Sequence, residues 1–168
     1  MHKIERMAET LHINISANKE EKYTSLLPQI EALISGESNL IANLANVMAC
    51  LKSSFDFFWV GAYLVEEDHL ILGPFQGSVA CTRIQKGKGV CGTAWQKAET
   101  LIVPNVDEFK GHIACSSASR SEIVIPVFDS SHEVVMVIDV DSDCLNDFNE
   151  TDMLYLEKLS EMITKYHF

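Results

Sequence analysis

Two pairs of short apolar runs, each pair joined by a few polar residues, constrain the fold of this chain more than any other feature. Residues 57–65 and 69–72 form the first pair, and residues 123–128 and 134–140 form the second. Strands this close in sequence pair antiparallel, because a parallel pair needs a crossover of about a dozen residues or more. The sequence therefore predicts a mostly antiparallel sheet built from hairpins.

Helical periodicity lies on either side of these hairpins. Asn18, Ser38 and Asn149 each precede a stretch with apolar residues at spacings of three and four, so each is a predicted N-cap. Pro28 falls within the first stretch and should kink that helix or start a new one. Helices packed against an antiparallel sheet give an α+β fold.

The region between the hairpins carries weaker patterns. We expect a strand over residues 79–84, a short helix over 93–97 and a strand over 101–103. Residues 104–121 form a long polar connection. A long connection in a compact domain usually has a function.

Size and charge exclude several functions. The 168 residues fit one domain over 1–168, in which we expect residues 1–17 to form a loosely attached arm. A net charge of −11 argues against a nucleic-acid surface and against docking on an anionic membrane. Apolar runs stay short of the roughly 20 residues that span a bilayer, and the start lacks a signal sequence, so we expect a cytoplasmic protein.

Cys81, Cys91 and Cys115 lie among glycines, serines and basic residues rather than in apolar runs. Reactive thiols favour partly exposed, electropositive surroundings, so these segments predict a thiol site spread over three loops. His112 and Arg120 would lower the pKa of the Cys115 thiol. A solvated loop with an idle cysteine fits the same residues equally well.

Acidic residues alternate near the end of the second hairpin. Asp139 and Asp141 should share a strand face, followed by Asp143, and Glu122 lies near the start of the neighbouring strand. Such carboxylates could bind an ammonium group or a divalent cation, or one could stay protonated and act as an acid.

Trp59 and Tyr63 are four residues apart in the first hairpin and share a strand face. Core packing is the usual reason for such a pair. Aromatic rings would also accommodate a small apolar ligand group such as a thioether methyl.

Four segments, GPFQGSVACTRI, GKGVCGTAW, VPNVDEFKGHIACSSASRSEIVIPV and VIDVDSD, resemble the free methionine-(R)-sulfoxide reductases, which are built on a GAF-type domain. The resemblance runs in order from about Trp59 to Asp143. It implies reduction of free L-methionine-(R)-sulfoxide, with recycling by thioredoxin and without a cofactor or metal.

The resemblance also implies roles for individual cysteines. Cys115 matches the nucleophile that becomes a sulfenic acid, and Cys81 matches the cysteine that resolves it to a disulfide. Cys91 matches a third cysteine that is either an alternative resolver or a disulfide partner of Cys81.

The substrate contacts follow from the same match. Glu122 matches the proton donor near the sulfoxide oxygen, Asp139 and Asp141 match the acids that hold the substrate ammonium group, and Trp59 and Tyr63 match the aromatic wall.

Two other readings remain. A GAF module that senses a small molecule without catalysis would not need three loop cysteines together with Glu122 and the paired aspartates. A zinc site formed by Cys81, Cys91, His112 and Cys115 lacks the short ligand spacing of structural zinc motifs. The oligomeric state is open and includes a homodimer.

Overall fold

The computed structural model describes residues 10–111 and 118–168. The helices of this part are α1 (Lys19–Ile34), α2 (Leu40–Ser54), α3 (Gly89–Lys97) and α4 (Glu150–His167). The strands are β1 (Trp59–Glu66), β2 (His69–Gln76), β3 (Arg83–Gln85), β4 (Leu101–Val103), β5 (Ser121–Phe128) and β6 (Val134–Ser142).

The strands form one antiparallel sheet in the order β3-β2-β1-β6-β5-β4. Both predicted hairpins, β1–β2 and β5–β6, are confirmed. Because β6 lies between β1 and β5, it joins the two hairpins at the centre of the sheet. The predicted α+β class with a mostly antiparallel sheet is confirmed.

Local hydrogen bonds explain where the helices begin. Asn18 caps α1 and Asn149 caps α4, each in a reciprocal capping box, as predicted. Ser38 was predicted to cap α2, and this is wrong, because the Asn39 side chain accepts from the backbone N–H of Ala42 at 3.0 Å. Adjacent serine and asparagine are nearly equivalent caps, so the pattern could not decide between them.

The first helix continues through Pro28 to Ile34 and does not restart there. Proline removes one hydrogen bond from the helix interior. Leu26 and Ile30, on either side of it, are fully buried against the core. The packing of this face keeps the segment helical. Residues 10–17, the described part of the predicted arm, contact α1, where the backbone N–H of His12 donates to Gln29 at 2.8 Å.

The region before α3 differs from the prediction. The predicted strand over 79–84 is reduced to β3, and residues 77–82 form a loop. Gly77 begins this loop with a φ of 138°, a conformation that glycine adopts readily. Helix α3 begins at Gly89, four residues before its predicted start.

The sheet separates two apolar clusters. Val60, Ile125 and Ile138 belong to the cluster that packs with α1, α2 and α4. Trp59 and Val124 belong to the cluster on the other face, beneath α3. Alternation along each strand sends neighbouring residues to opposite faces. None of the helices in the described ranges is long and apolar enough to cross a membrane.

Candidate functional site

A pocket opens on the α3 face of the sheet, and the strand register assembles its polar lining. Asp141 of β6 lies directly opposite Trp59 of β1 on one side and opposite Glu122 of β5 on the other. Opposed residues on one face have Cβ atoms about 4.5–5.5 Å apart. The pairings therefore bring an aromatic ring and two carboxyl groups into one row, and all three residues line the pocket.

Asp139 lies two residues before Asp141 and also lines the pocket. Glu122 is 6% exposed and Asp139 is 7% exposed. Burial, followed by the charge of neighbouring aspartates, raises the pKa of both carboxyl groups well above the ordinary range. Burial raises the pKa of Asp141 to about 6. The site therefore holds carboxyl groups that resist ionisation.

Cys91 lies in the first turn of α3, and its Sγ is 3.8 Å from Oε1 of Glu122. The thiol is free and only 4% exposed. Burial, followed by the nearby Asp139 and Glu122, raises its pKa well above the ordinary thiol value. The prediction of a partly exposed loop thiol is wrong for Cys91, because α3 carries it down onto the acidic strands.

The predicted aromatic pair lines the pocket, with ring centroids 6.0 Å apart. Both residues also hold the loop that carries Cys81. The indole Nε1 of Trp59 donates to the carbonyl of Ser78 at 3.0 Å, and the Tyr63 hydroxyl donates to the carbonyl of Cys81 at 3.1 Å. These bonds place the predicted resolving cysteine beside the aromatic wall.

Gly61 is needed for this arrangement. A Cβ at this position would lie 2.2 Å from Cη2 of Trp59, so the indole ring can lie flat across the strand only over glycine. Sequence analysis did not single out Gly61. Its position between Trp59 and Tyr63 on the same strand was the available signal.

The three predicted cysteines differ in what the structure describes. Cys81 lies in the loop over residues 77–82, as predicted, and is disulfide-bonded. Cys91 is a free thiol. Cys115 lies outside the described residues, as does His112. Arg120, predicted to act on Cys115, is exposed.

The described chain resumes at Ala118 with two contacts to β6. The Ser119 hydroxyl donates to the carboxylate of Asp141, and the backbone N–H of Arg120 donates to the carbonyl of Ser142 at 2.7 Å. Ser119 therefore joins one predicted substrate-binding acid to the segment that follows Cys115. The serine-rich composition of that segment was noted, but its contact with Asp141 was not predicted.

Asp143 does not join the acidic cluster. Strand β6 ends at Ser142, and the Asp143 side chain is exposed beside the thiol of Cys144. The alternation predicted for three aspartates therefore holds for Asp139 and Asp141 only. Cys50 is buried in the core of the other face, where burial raises its pKa to about 11.

Comparison with known proteins assigns the chain to a family. The GAF domain profile matches residues 39–164. A free methionine-R-sulfoxide reductase of Saccharomyces cerevisiae is 43% identical over 92% of this chain and 91% of its own length. The chain belongs to the GAF-domain family of free methionine-R-sulfoxide reductases. This confirms the resemblance carried by the four segments of sequence.

Two further proteins are similar to this chain over nearly its whole length. The crystal structure of the free methionine-R-sulfoxide reductase from Neisseria meningitidis, in complex with its substrate, is 50% identical, covers 94% of both chains and has a TM-score of 0.91. GAF domain-containing protein A of Dictyostelium discoideum is 59% identical over 94% of this chain and 99% of its own.

Proposed function

We propose that this protein reduces free L-methionine-(R)-sulfoxide to L-methionine. The observation that carries the proposal is the buried acidic row beside the aromatic wall, in a chain of this family. Relatives at 43% and 42% identity are free methionine-R-sulfoxide reductases of Saccharomyces cerevisiae and Escherichia coli.

The acids supply selectivity for the free amino acid. Asp139 and Asp141 accept the substrate ammonium group, which neutralises carboxylates that are otherwise buried together. A methionine inside a peptide has no such ammonium group and leaves the acids unpaired. Trp59 and Tyr63 contact the methyl sulfoxide end of the side chain.

Glu122 is the proton donor. Sulfoxide oxygen is a poor leaving group until it is protonated. Burial raises the pKa of the Glu122 carboxyl group well above its ordinary value, which favours the protonated form that can donate. Cys115 attacks the sulfoxide sulfur as a thiolate. As methionine leaves, the protonated oxygen passes to Cys115: the S–O bond of the substrate breaks, an S–O bond to the Cys115 sulfur forms, and Cys115 becomes a sulfenic acid.

Cys81 resolves that intermediate. Its thiol condenses with the sulfenic acid, one water leaves, and a Cys81–Cys115 disulfide forms. The disulfide-bonded state of Cys81, with Cys50, Cys91 and Cys144 free, supports this assignment. A thioredoxin dithiol then returns both cysteines to thiols, which fits a cytoplasmic enzyme.

Chiral separation of a racemic mixture tests the function. With thioredoxin, its reductase and NADPH, the protein should consume the R form of free methionine sulfoxide and leave the S form. Consumption of the S form, or of neither, would refute the proposal, and the second result would favour a sensing module.

Cysteine variants test the mechanism in the same assay. Cys115→Ser should abolish turnover, whereas Cys81→Ser should yield one methionine per protein and then stall. Cys144→Ser, at an exposed cysteine outside the pocket, is the matched control and should retain activity. Full activity of the Cys115→Ser protein would show that the nucleophile is assigned wrongly.

A further inference from the structure

Three ligand atoms of different chemistry converge inside the pocket. The Sγ of Cys91 and a carboxylate oxygen from each of Glu122 and Asp139 all lie within 4.8 Å of one another. The Cys91 Sγ is 3.8 Å from Oε1 of Glu122. In a tetrahedral zinc site, bond lengths of about 2.3 Å to sulfur and 2.1 Å to oxygen separate those two ligands by about 3.6 Å. The spacing of this sulfur–oxygen pair, which is also a hydrogen bond, is therefore close to that of a metal site.

The carboxyl group of Asp139 supplies a second observation. The Oδ1 atom of Asp139 is buried and has no hydrogen-bond partner. The ion pairs found among the described residues involve neither Glu122, Asp139 nor Asp141. A buried carboxyl oxygen without a hydrogen-bond partner is costly, and here its residue lines an accessible pocket. A cation that enters the pocket would satisfy it.

We propose that the pocket, when it holds no substrate, binds one divalent cation of the zinc class through Cys91, Glu122 and Asp139. The thiolate ligand selects zinc over magnesium or calcium, which prefer oxygen alone. A thiol that coordinates such an ion is deprotonated outright. Three protein ligands leave the fourth position of the tetrahedron open toward the pocket.

The site makes the metal and the substrate mutually exclusive. An ion bound by Glu122 and Asp139 engages one of the two acids that hold the substrate ammonium group and also engages the proton donor. Free zinc would therefore inhibit the enzyme in competition with methionine sulfoxide. This consequence rests on the proposed function, whereas the metal site itself does not.

Cobalt is a suitable probe, because a cobalt–thiolate bond gives a charge-transfer absorption band that carboxylates alone do not give. The oxidised protein is used without reductant, since Cys81 is then in a disulfide and cannot bind metal. One equivalent of Co²⁺ per chain should produce the band, and Zn²⁺ should abolish it. Cys91→Ser should lack the band, and Cys144→Ser, the control, should keep it. Absence of the band in the wild-type protein, or its presence in the Cys91→Ser protein, overturns the proposal.

Asp139→Asn provides a second variant that keeps the side-chain shape. It should weaken cobalt binding by about tenfold or more while circular dichroism shows a folded protein. Unchanged affinity would remove Asp139 from the ligand set and overturn the assigned site.

Displacement of cobalt by methionine sulfoxide tests whether the metal and the substrate share the pocket. Oxidised protein cannot turn over, so added free methionine-(R)-sulfoxide acts only as a ligand and should abolish the cobalt band. A band that persists at saturating sulfoxide refutes the competition. Because cobalt binding is measured without turnover, an inactive protein that shows the Cys91-dependent band refutes the proposed function alone. An active protein without the band refutes the metal site alone.

Discussion

On β6, Ile138 and Asp139 are neighbours whose side chains lie on opposite faces of the sheet. Ile138 is fully buried among apolar residues beneath α1, α2 and α4. Asp139 is almost as buried but lines the pocket beneath α3, with one carboxylate oxygen unpaired. The backbone pairing that stabilises one face therefore also positions reactive groups on the other.

The two faces of the sheet contribute to different properties, one to stability and the other to the chemistry of the pocket. Burial of apolar side chains on the first face stabilises the folded protein. The pocket face buries carboxyl groups that repel each other, an arrangement that costs free energy until a ligand enters. Substitutions on the two faces should therefore change different measured quantities.

The largest effect is expected for Glu122→Gln. Loss of the proton donor should lower kcat/KM by about 10²- to 10⁴-fold. The free energy of unfolding should be retained at neutral pH, because glutamine has the same shape and carries no charge. Steady-state kinetics and urea unfolding measure the two quantities. Glu161→Gln, on the exposed surface of α4, is the control. An unchanged kcat/KM would exclude Glu122 as the proton donor.

The apolar face should show the opposite result. Ile138→Ala removes a fully buried side chain and should lower the free energy of unfolding by about 2–5 kcal/mol, measured by urea unfolding. The activity per folded molecule should be retained, because the cavity forms on the face away from the pocket. A large loss of kcat/KM in protein that is still folded would show that the two faces are coupled.

The carboxyl group of Asp141 on the pocket face should make the stability of the protein depend on pH. The pKa of Asp141 is raised from 3.8 to about 6, so its folded form holds a proton that the unfolded chain releases. Stability is therefore fully present below about pH 4 and decreases as the pH rises through about 6. Asp141→Asn should reduce this decrease, measured as urea unfolding at a series of pH values. Asp143→Asn, at the exposed position two residues later, should leave the curve unchanged. Identical curves for Asp141→Asn and the wild type would contradict the desolvation of the Asp141 carboxyl group.

The smallest effect is expected at the start of α1. Asn18→Ala removes the cap that binds the backbone N–H of Glu21 at 2.9 Å and should cost about 1 kcal/mol of unfolding free energy. Asn18→Asp retains a capping oxygen and should restore most of it. Kinetic constants should not change in either variant, and a change would place α1 in contact with the reaction.

Sequence reasoning worked where the signal was local. The capping boxes at Asn18 and Asn149 involve residues three apart, and each hairpin joins runs only a few residues apart. The shared face of Asp139 and Asp141 follows from strand alternation alone. These features depend on short stretches of chain, so they can be read without the tertiary structure.

The remainder depends on contacts between distant segments. Asp141 lies opposite both Trp59 and Glu122 because β6 lies between β1 and β5. No single segment of the sequence predicts this order of strands. The burial of Cys91 likewise depends on the docking of α3 against the sheet. The roles of Trp59 and Tyr63 in holding the Cys81 loop depend on backbone carbonyls, which leave no signal in the sequence.

The central claim is that the buried acids recognise the ammonium group of a free amino acid. Comparison of kcat/KM for free L-methionine-(R)-sulfoxide with that for its N-acetyl derivative tests this directly, because acetylation removes the positive charge and leaves the sulfoxide unchanged. We expect a preference of about 10⁴-fold for the free amino acid, since a site built to bind a polar group rejects an analogue that lacks it. Similar values for the two compounds would contradict it.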